Sequence, residues 1–227
     1  MSGAEQFSRY AKSYQKYKII QSRVASHLVS NTPFKGRKIL DLGAGSGEVY
    51  KNIDWEFDLF VAVDRSAQMM ELHPRNRVEK ILCDFDSEEC WRELRKYGFD
   101  QIFSSSAMQW SSDLDALFEK TASFGVPCSF AIFTSGTFKT VHEIAGLDSP
   151  IYSVDEILYF VKKYFLVNYE IKRYRLFFSR KREIFSYIKK SGVNVGRRRL
   201  GYTETKRMME NYPLSYLEFE VLFLWTK

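Results

Sequence analysis

The chain has 227 residues, 45% of them hydrophobic, which is enough apolar material for one large α/β domain with its own core. No stretch approaches the ~18–20 apolar residues of a membrane span, and the opening Met-Ser-Gly-Ala-Glu-Gln-Phe-Ser-Arg-Tyr lacks the apolar centre of a signal peptide, so a cytoplasmic protein is expected. Net charge is +6 but unevenly placed: residues 162–207 hold fifteen Lys/Arg against three acids, a net of +12 that leaves −6 for the rest and excludes a uniformly basic chain.

Cys83, Cys90 and Cys128 are odd in number, scattered and flanked by core-like residues, which argues against a disulfide framework or a metal site and for three buried thiols. His27, His73 and His142 are too dispersed for a ligand set and read as free surface histidines. No metal is expected.

In chain order, Phe7, Ala11 and Tyr14, then Ile20, Val24 and Leu28, recur at helical spacing over residues 4–30, and Asn31-Thr-Pro33 ends the run. This leading helix, with its linker to residue 33, covers a sheet face or, through Tyr10, Tyr14, Tyr17 and Gln21, forms a lid. Lys38-Ile-Leu-Asp-Leu then reads as a buried strand that breaks into Gly43, Gly45 and Gly47, a turn whose backbone N–H groups can approach a ligand. Glu48 stands where a dinucleotide-binding pattern would place its last glycine, and Asp41 sits inside the motif. A pyrophosphate would be repelled by that acid, and the ammonium of a methionine-derived cofactor attracted.

Leu59–Asp64 is a second strand ending in an acid about twenty residues beyond the glycines, the place of a carboxylate that accepts ribose hydroxyls. Ser66 caps a short helix, Ala67–Leu72, whose Met69 borders an adenine or fills the core. A third strand, Glu79–Asp84, ends in another acid; Asp84 and Phe85 suit the amine and ring face of adenine, and Asp86 with Glu89 resembles a capping box for a helix from Ser87 to Tyr97. The fourth strand, Phe99–Ser105, leads into Ser106-Ala-Met-Gln-Trp110, a turn expected beyond the carboxyl ends of the strands. Helix Asp113–Phe124 and strand Cys128–Thr134 follow.

Residues 135–152 break the alternation as a loop or short-helix insertion, and Ser153 with Glu156 caps a helix running to Phe165. Tyr169–Phe178 and Leu217–Thr226 read as late strands, with helices Arg180–Lys190 and Glu204–Asn211 between them. Two late strands joined this way suit an antiparallel pair at the edge of a parallel sheet. No linker interrupts the chain, so residues 1–227 are expected as a single domain: cap helix 1–33, substrate-side insertion 135–152 and basic region 162–207.

Asp41-Leu-Gly-Ala-Gly-Ser-Gly47 resembles motif I of the class I S-adenosylmethionine-dependent methyltransferases. Phe7-Ser-Arg-Tyr-Ala-Lys-Ser-Tyr14 with Gln21, the segment Ser104-Ser-Ser-Ala-Met-Gln-Trp110, Phe133-Thr134, Gly136-Thr137 and Glu143, Lys189–Gly196 and Tyr212–Glu218 together resemble the malonyl-acyl-carrier-protein O-methyltransferases of biotin synthesis, and the related trans-aconitate enzymes. The Gln-Trp pair discriminates best. Ser105 replaces the usual Asn of these families, Ala44 the common Cys, and the 135–152 insertion is shorter than theirs.

The resemblance implies a Rossmann-like α/β fold: a mostly parallel seven-stranded sheet with an antiparallel last strand, helices on both faces and an N-terminal cap helix. It implies S-adenosylmethionine as cofactor, S-adenosylhomocysteine as product, and malonyl-acyl-carrier protein as substrate and partner. The implied cofactor residues are Tyr10, Asp41, Gly43, Ala44, Gly45, Gly47, Asp64, Arg65, Met69, Asp84, Phe85 and Ser104, and the implied reaction chamber is Tyr14, Ser105, Gln109 and Trp110. A bidentate arginine should clamp the substrate carboxylate; Arg9, Arg173, Arg175 and Arg180 are the candidates, with Arg197, Arg198 and Arg199 expected to dock the acidic carrier protein. A small-acid carboxyl methyltransferase, an RNA methyltransferase using the basic region, and a non-catalytic S-adenosylmethionine-binding protein remain the alternatives. Nucleic acid is disfavoured because strand four is followed by no amine-methylating Asn/Asp-Pro-Pro-Tyr motif and the chain has no catalytic Cys pair.

Overall fold

The computed structural model describes residues 18–190 and 208–227. Its centre is a seven-stranded sheet in the order β3-β2-β1-β4-β5-β7-β6. The strands are β1 (Lys38–Leu42), β2 (Leu59–Asp64), β3 (Glu79–Leu82), β4 (Gln101–Ser105), β5 (Cys128–Phe133), β6 (Val167–Phe177) and β7 (Tyr216–Thr226). β1 to β5 pair in parallel, and β7 pairs antiparallel with both β5 and β6. The expected sheet and its antiparallel edge pair are therefore present, with the last strand inserted between β5 and β6.

The helices are α1 (Ile19–Ser30), α2 (Ala67–Leu72), α3 (Glu88–Leu94), α4 (Leu114–Ala122), α5 (Lys139–Ala145), α6 (Val154–Val161) and α7 (Lys181–Lys190). Period-two alternation in the strands builds a core on each face of the sheet. Ile39, Phe60, Ala62, Ala131, Phe133, Phe219 and Phe223 pack with α1, α5 and α7. Leu40, Leu42, Val61, Val63, Phe130 and Ile132 pack on the other face with α3, α4 and α6. α1 buries Ile20, Val24, Ala25, Leu28 and Val29 against the sheet, and the Trp225 indole donates to the Leu28 carbonyl at 3.3 Å, so the apolar side of this part of the leading helix covers the sheet.

Of the loop or short helix read for residues 135–152, the short helix is present, and one expected cap is not. The insertion at 135–152 contains α5, which starts after the left-handed residue Phe138 and ends at Gly146 with φ 62°. α3 is capped by Ser87, whose hydroxyl accepts from the Cys90 amide. Asp86 does not cap it: its carboxylate instead accepts from the Ser111 hydroxyl at 2.6 Å and the Ser112 amide at 2.9 Å, tying the loop after β3 to the loop after β4. The Ser153–Glu156 capping box forms as read.

The cysteine and histidine readings are corrected. Cys83 and Cys90 are joined by a disulfide, which sequence spacing across a strand–loop–helix junction did not suggest, and Cys128 alone is a buried thiol, pushed up in pKa by burial. His73 and His142 are buried rather than surface residues, and desolvation holds both imidazoles below the usual histidine range. Among the described residues no helix is long and apolar enough to cross a membrane.

Candidate functional site

The carboxyl ends of β1, β2 and β4 meet at Leu42, Asp64 and Ser105, because the parallel register sets Asp41 beside both Ala62 and Phe103. The chain must leave β1 without running into its neighbours, and the glycine turn makes that exit. Gly43, Gly45 and Gly47 all take positive φ, at 73°, 50° and 81°. The Gly43 and Ala44 amides both donate to the Val63 carbonyl at 2.8 Å, binding the turn to the tip of β2. A Cβ on Gly43 would sit 2.2 Å from that of Ala107, so glycine here allows the turn to pass the loop after β4; at Gly47 the same atom would strike His73 and Pro74, a packing need.

Between these loops lies an open crevice, with about 890 Å³ of empty space counting the solvent at its mouth. Asp41, Gly43, Ala44, Gly45, Asp64, Arg65, Met69, Asp84, Phe85, Ser105 and Trp110 line it, as the sequence placed them. Gly47, Ser104 and Gln109 stand behind the wall. The Ser104 hydroxyl donates to the Leu42 carbonyl at 2.7 Å and so holds β4 to β1. The Gln109 amide donates to the Ser106 carbonyl at 2.7 Å and fixes the turn that carries Trp110. Arg9, Tyr10, Tyr14 and Tyr17, Arg197, Arg198 and Arg199, and most of the expected helix 204–211 lie outside the described residues.

Ser46, Glu48, Val49, Ser66, Cys83, Ser106 and Ala107 also line the crevice. Most had no sequence signal, since a wall residue in a loop is chosen by backbone path. Ser106 takes φ 62° without being glycine, and only the fold reveals that. Glu48, by contrast, was marked by its position directly after the glycine turn.

The electrostatics of the wall are anionic. Asp41, Glu48, Asp64 and Asp84 face it with Arg65 as the cation among the described lining residues. Asp41 is 1% exposed, and both its carboxylate oxygens are buried with no hydrogen-bond partner among the described residues. Burial, and then the charge of Asp64, push its carboxyl well above the usual range. Asp64 is better served: Oδ2 accepts from the Gly45 amide at 2.9 Å and Oδ1 from the Ser66 amide at 2.8 Å, although burial still raises its pKa. Asp84 accepts from the Arg65 guanidinium at 3.1 Å and from the Asp86 amide at 3.0 Å. The Ser105 and Ser106 hydroxyls are buried without a partner among the described residues.

The expected clamp arginines of the late strands are engaged elsewhere. Arg173 pairs with Glu220 at 2.8 Å, Arg175 lies 4.9 Å over the Tyr216 ring, and Arg180 pairs with Glu183 at 2.7 Å. β6 is separated from β4 by β5 and β7, and neither Arg173 nor Arg175 reaches the crevice wall.

An unpaired buried carboxylate costs several kcal/mol unless a cation meets it. The donor set at this crevice therefore fits S-adenosylmethionine: Asp41 for the ammonium, Asp64 for the ribose hydroxyls, Asp84 and Phe85 for the adenine, and an anionic wall for the sulfonium. Among the described residues no group of three His, Cys, Asp or Glu is arranged to hold a metal ion.

No family model matches the chain. Curated relatives do. The chain is 29% identical over 225 residues to a malonyl-[acyl-carrier protein] O-methyltransferase of Chlorobium phaeovibrioides, covering 92% of this chain and 86% of the relative. It is 30% identical over 150 residues to an enzyme of the same name from Priestia megaterium, covering 61% of this chain and 53% of the relative, so it spans about half the length of that one. Solved structures share the fold. The YcgJ protein of Bacillus subtilis superposes with a TM-score of 0.64 at 13% identity, over 90% of this chain and 98% of the other. A Haemonchus contortus phosphoethanolamine N-methyltransferase 2, solved with S-adenosylhomocysteine, superposes with a TM-score of 0.57 at 16% identity, over 100% of this chain and 60% of that one. The fold is that of the Rossmann-like methyltransferases.

Proposed function

We propose that this chain, a homologue of the malonyl-acyl-carrier-protein O-methyltransferases, methylates the free carboxylate of a malonyl thioester on acyl carrier protein, giving the methyl ester in the early steps of biotin synthesis. The observation that carries the cofactor half is the buried, unpartnered carboxylate of Asp41 at the base of an anionic crevice. The substrate half rests on the relatives' names and on sequence shared along nearly the whole chain.

When bound, S-adenosylmethionine supplies an electrophilic methyl group on a positively charged sulfur. The chain's own residues then bind and orient. Asp41 would hold the ammonium and Asp64 would accept from the ribose hydroxyls, its plane fixed by the Gly45 and Ser66 amides, while Asp84 with Phe85 would receive the adenine. Arg65 orients Asp84. Ser105, Ser106 and Trp110 form the wall beyond β4, where the acceptor carboxylate would approach. Gln109 acts behind them, on the Ser106 carbonyl. A malonyl carboxylate is already ionised at pH 7, so no proton has to be removed, and the work left to the protein is positioning and exclusion of water. Methylation removes the negative charge, which would otherwise be costly to bury in the apolar pockets of chain-elongating enzymes.

The test is transfer of label from S-adenosylmethionine to malonyl-carrier protein, malonyl-coenzyme A, trans-aconitate and total RNA in parallel. Label appearing on the malonyl carrier as a base-labile ester is the expected result. Label appearing only on RNA, or only on aconitate, overturns the substrate assignment.

A further inference from the structure

Glu48 is assigned no contact with the donor above beyond its share of the wall's charge, yet it is the most heavily bonded side chain at the crevice among the described residues. Its Oε1 accepts from the Lys18 ammonium at 2.5 Å and from the Lys51 ammonium at 2.7 Å, and its Oε2 accepts from the Ser22 hydroxyl at 2.6 Å. Lys18 and Ser22 stand one helical turn apart at the start of α1. Lys51 also donates to the Ser46 carbonyl at 2.8 Å, inside the glycine turn. One carboxylate thus joins the first turn of α1 to the loop that carries the donor residues.

The same turn of α1 carries Gln21, which lines the crevice, is 6% exposed, and leaves its Oε1 buried with no partner among the described residues. Gln21 can stay on that wall only while the start of α1 stays seated, and among the described residues that turn has no capping side chain, since Lys18 at the N-cap position makes no side-chain cap bond. Helix ends without caps fray. Ile20 in this turn packs on the sheet side, and among the described residues the bonds to Glu48 are the polar fastening of its beginning to the glycine turn.

Resting on the donor reading above, we propose that Glu48 is a positioning residue, a latch that seats the leading helix on the glycine turn and thereby holds Gln21 as the near wall of the donor site. The two lysines keep the Glu48 carboxyl at a pKa of about 2 despite its burial, so the latch is charged throughout the working pH range and is not a pH switch. Charge-assisted bonds of this kind are roughly twice as strong as neutral ones, and breaking one partner leaves the carboxylate partly unpaired. The position is one where the glycine pattern of a dinucleotide site would carry no side chain at all, so the interaction belongs to this chain's own sequence rather than to the turn as such.

The experiment is S-adenosylhomocysteine binding by calorimetry on the full chain, with amide hydrogen exchange over residues 19–25. Lys18→Met leaves Glu48, Lys51 and the glycine turn in place, and it is expected to weaken binding about tenfold and to speed exchange at the start of α1. Lys18→Arg restores the charge and is expected to stay within threefold of wild type. Glu48→Gln should weaken binding at least as much as Lys18→Met. In turnover assays the KM for the donor should rise while kcat at saturating donor stays within about twofold, a split that general loss of folded protein would not give. Lys18→Met binding the nucleoside as wild type does, with unchanged exchange, overturns the latch. Wild-type protein that fails to bind it overturns the donor reading instead, and the exchange measurement then still decides whether Lys18 seats the helix.

Discussion

Asp41→Asn is the perturbation that separates ligand recognition from mere shape, because the two side chains are isosteric and the carboxylate has no hydrogen bond among the described residues to lose. If Asp41 meets the ammonium of the methyl donor, the substitution removes a buried charge-assisted hydrogen bond. Such bonds contribute roughly 1.5–3 kcal/mol, and each 1.4 kcal/mol is tenfold, so S-adenosylhomocysteine should bind roughly 10- to 150-fold more weakly. 5′-Methylthioadenosine has the same nucleoside and sulfur but no amino acid portion. It should bind the variant and the wild type alike. Calorimetry with both ligands gives the answer: equal losses for the two, or no loss for either, refute the assignment.

Stability should move the opposite way. Burial and the Asp64 charge raise the folded-state pKa of Asp41 above its unfolded value of about 3.9, so the ligand-free protein loses stability as pH rises from that value through the raised one, and stays lower above it. Asparagine has no such loss. The variant's ligand-free melting temperature should therefore exceed that of wild type at pH 8, and the difference should shrink toward pH 4. A difference that grows on acidification would mean that the carboxylate is stabilised in the folded state, contrary to its environment. The same linkage makes donor binding release protons above the usual carboxylate range.

The glycine turn predicts a ranked pair. Gly43→Ala combines a left-handed backbone with a methyl group 2.2 Å from the Ala107 Cβ, and should cost roughly 2–5 kcal/mol, or about 5–15 °C in thermal melts; Gly45→Ala, also left-handed, meets the end of the Met69 side chain at 3.4 Å and Asp64 Oδ2 at 3.9 Å, ordinary contacts, and should cost about 1–2 kcal/mol. Reversal of that order in thermal melts would refute the packing argument. The basic region predicts a substrate-dependent loss: Arg197→Glu, Arg198→Glu and Arg199→Glu together should impair methylation of the malonyl carrier at least tenfold more than that of malonyl-coenzyme A, and equal losses in parallel kinetics would defeat docking through those arginines.

Sequence marked the candidate crevice where chemistry and strand ends coincide. Asp41, Asp64 and Asp84 could be read because an apolar run ending in a carboxylate is an unusual pairing, and a parallel sheet gathers such ends on one edge. The mostly parallel sheet and its late antiparallel pair followed from the alternation of short strands with helices and its failure after residue 135. What stayed hidden depends on side-chain direction. Ser104 and Ser105 are adjacent in β4, yet one bonds the Leu42 carbonyl and the other faces the crevice, because neighbours on a strand point to opposite faces. Asp86 looked like a helix cap by spacing alone, but the loop after β4 supplied better donors. The link between Cys83 and Cys90 joins residues whose proximity is created by the turn between β3 and α3. His73 and His142 carry no pattern that marks burial, since one sits at the end of a short helix and the other inside the insertion.

The disposition of those histidines bears on the acceptor. Transfer of a methyl group to an amine or a hydroxyl near neutral pH calls for a group to take a proton, most often a histidine. Among the described residues none of the three histidines lines the crevice. His73 is tied through Nδ1 to the Pro74 carbonyl at 2.9 Å behind the glycine turn, His142 lies in α5, and His27 pairs with Glu170 at 2.7 Å beside β6. Of the carboxylates that face the crevice, Glu48 is bonded to Lys18, Lys51 and Ser22, and Asp41, Asp64 and Asp84 are those assigned to the donor in the proposed reaction, where a carboxylate occupied by an ammonium or by ribose hydroxyls is a poor base. An acceptor that arrives already ionised needs none of this. A malonyl carboxylate, the acceptor proposed from the relatives, is of that kind.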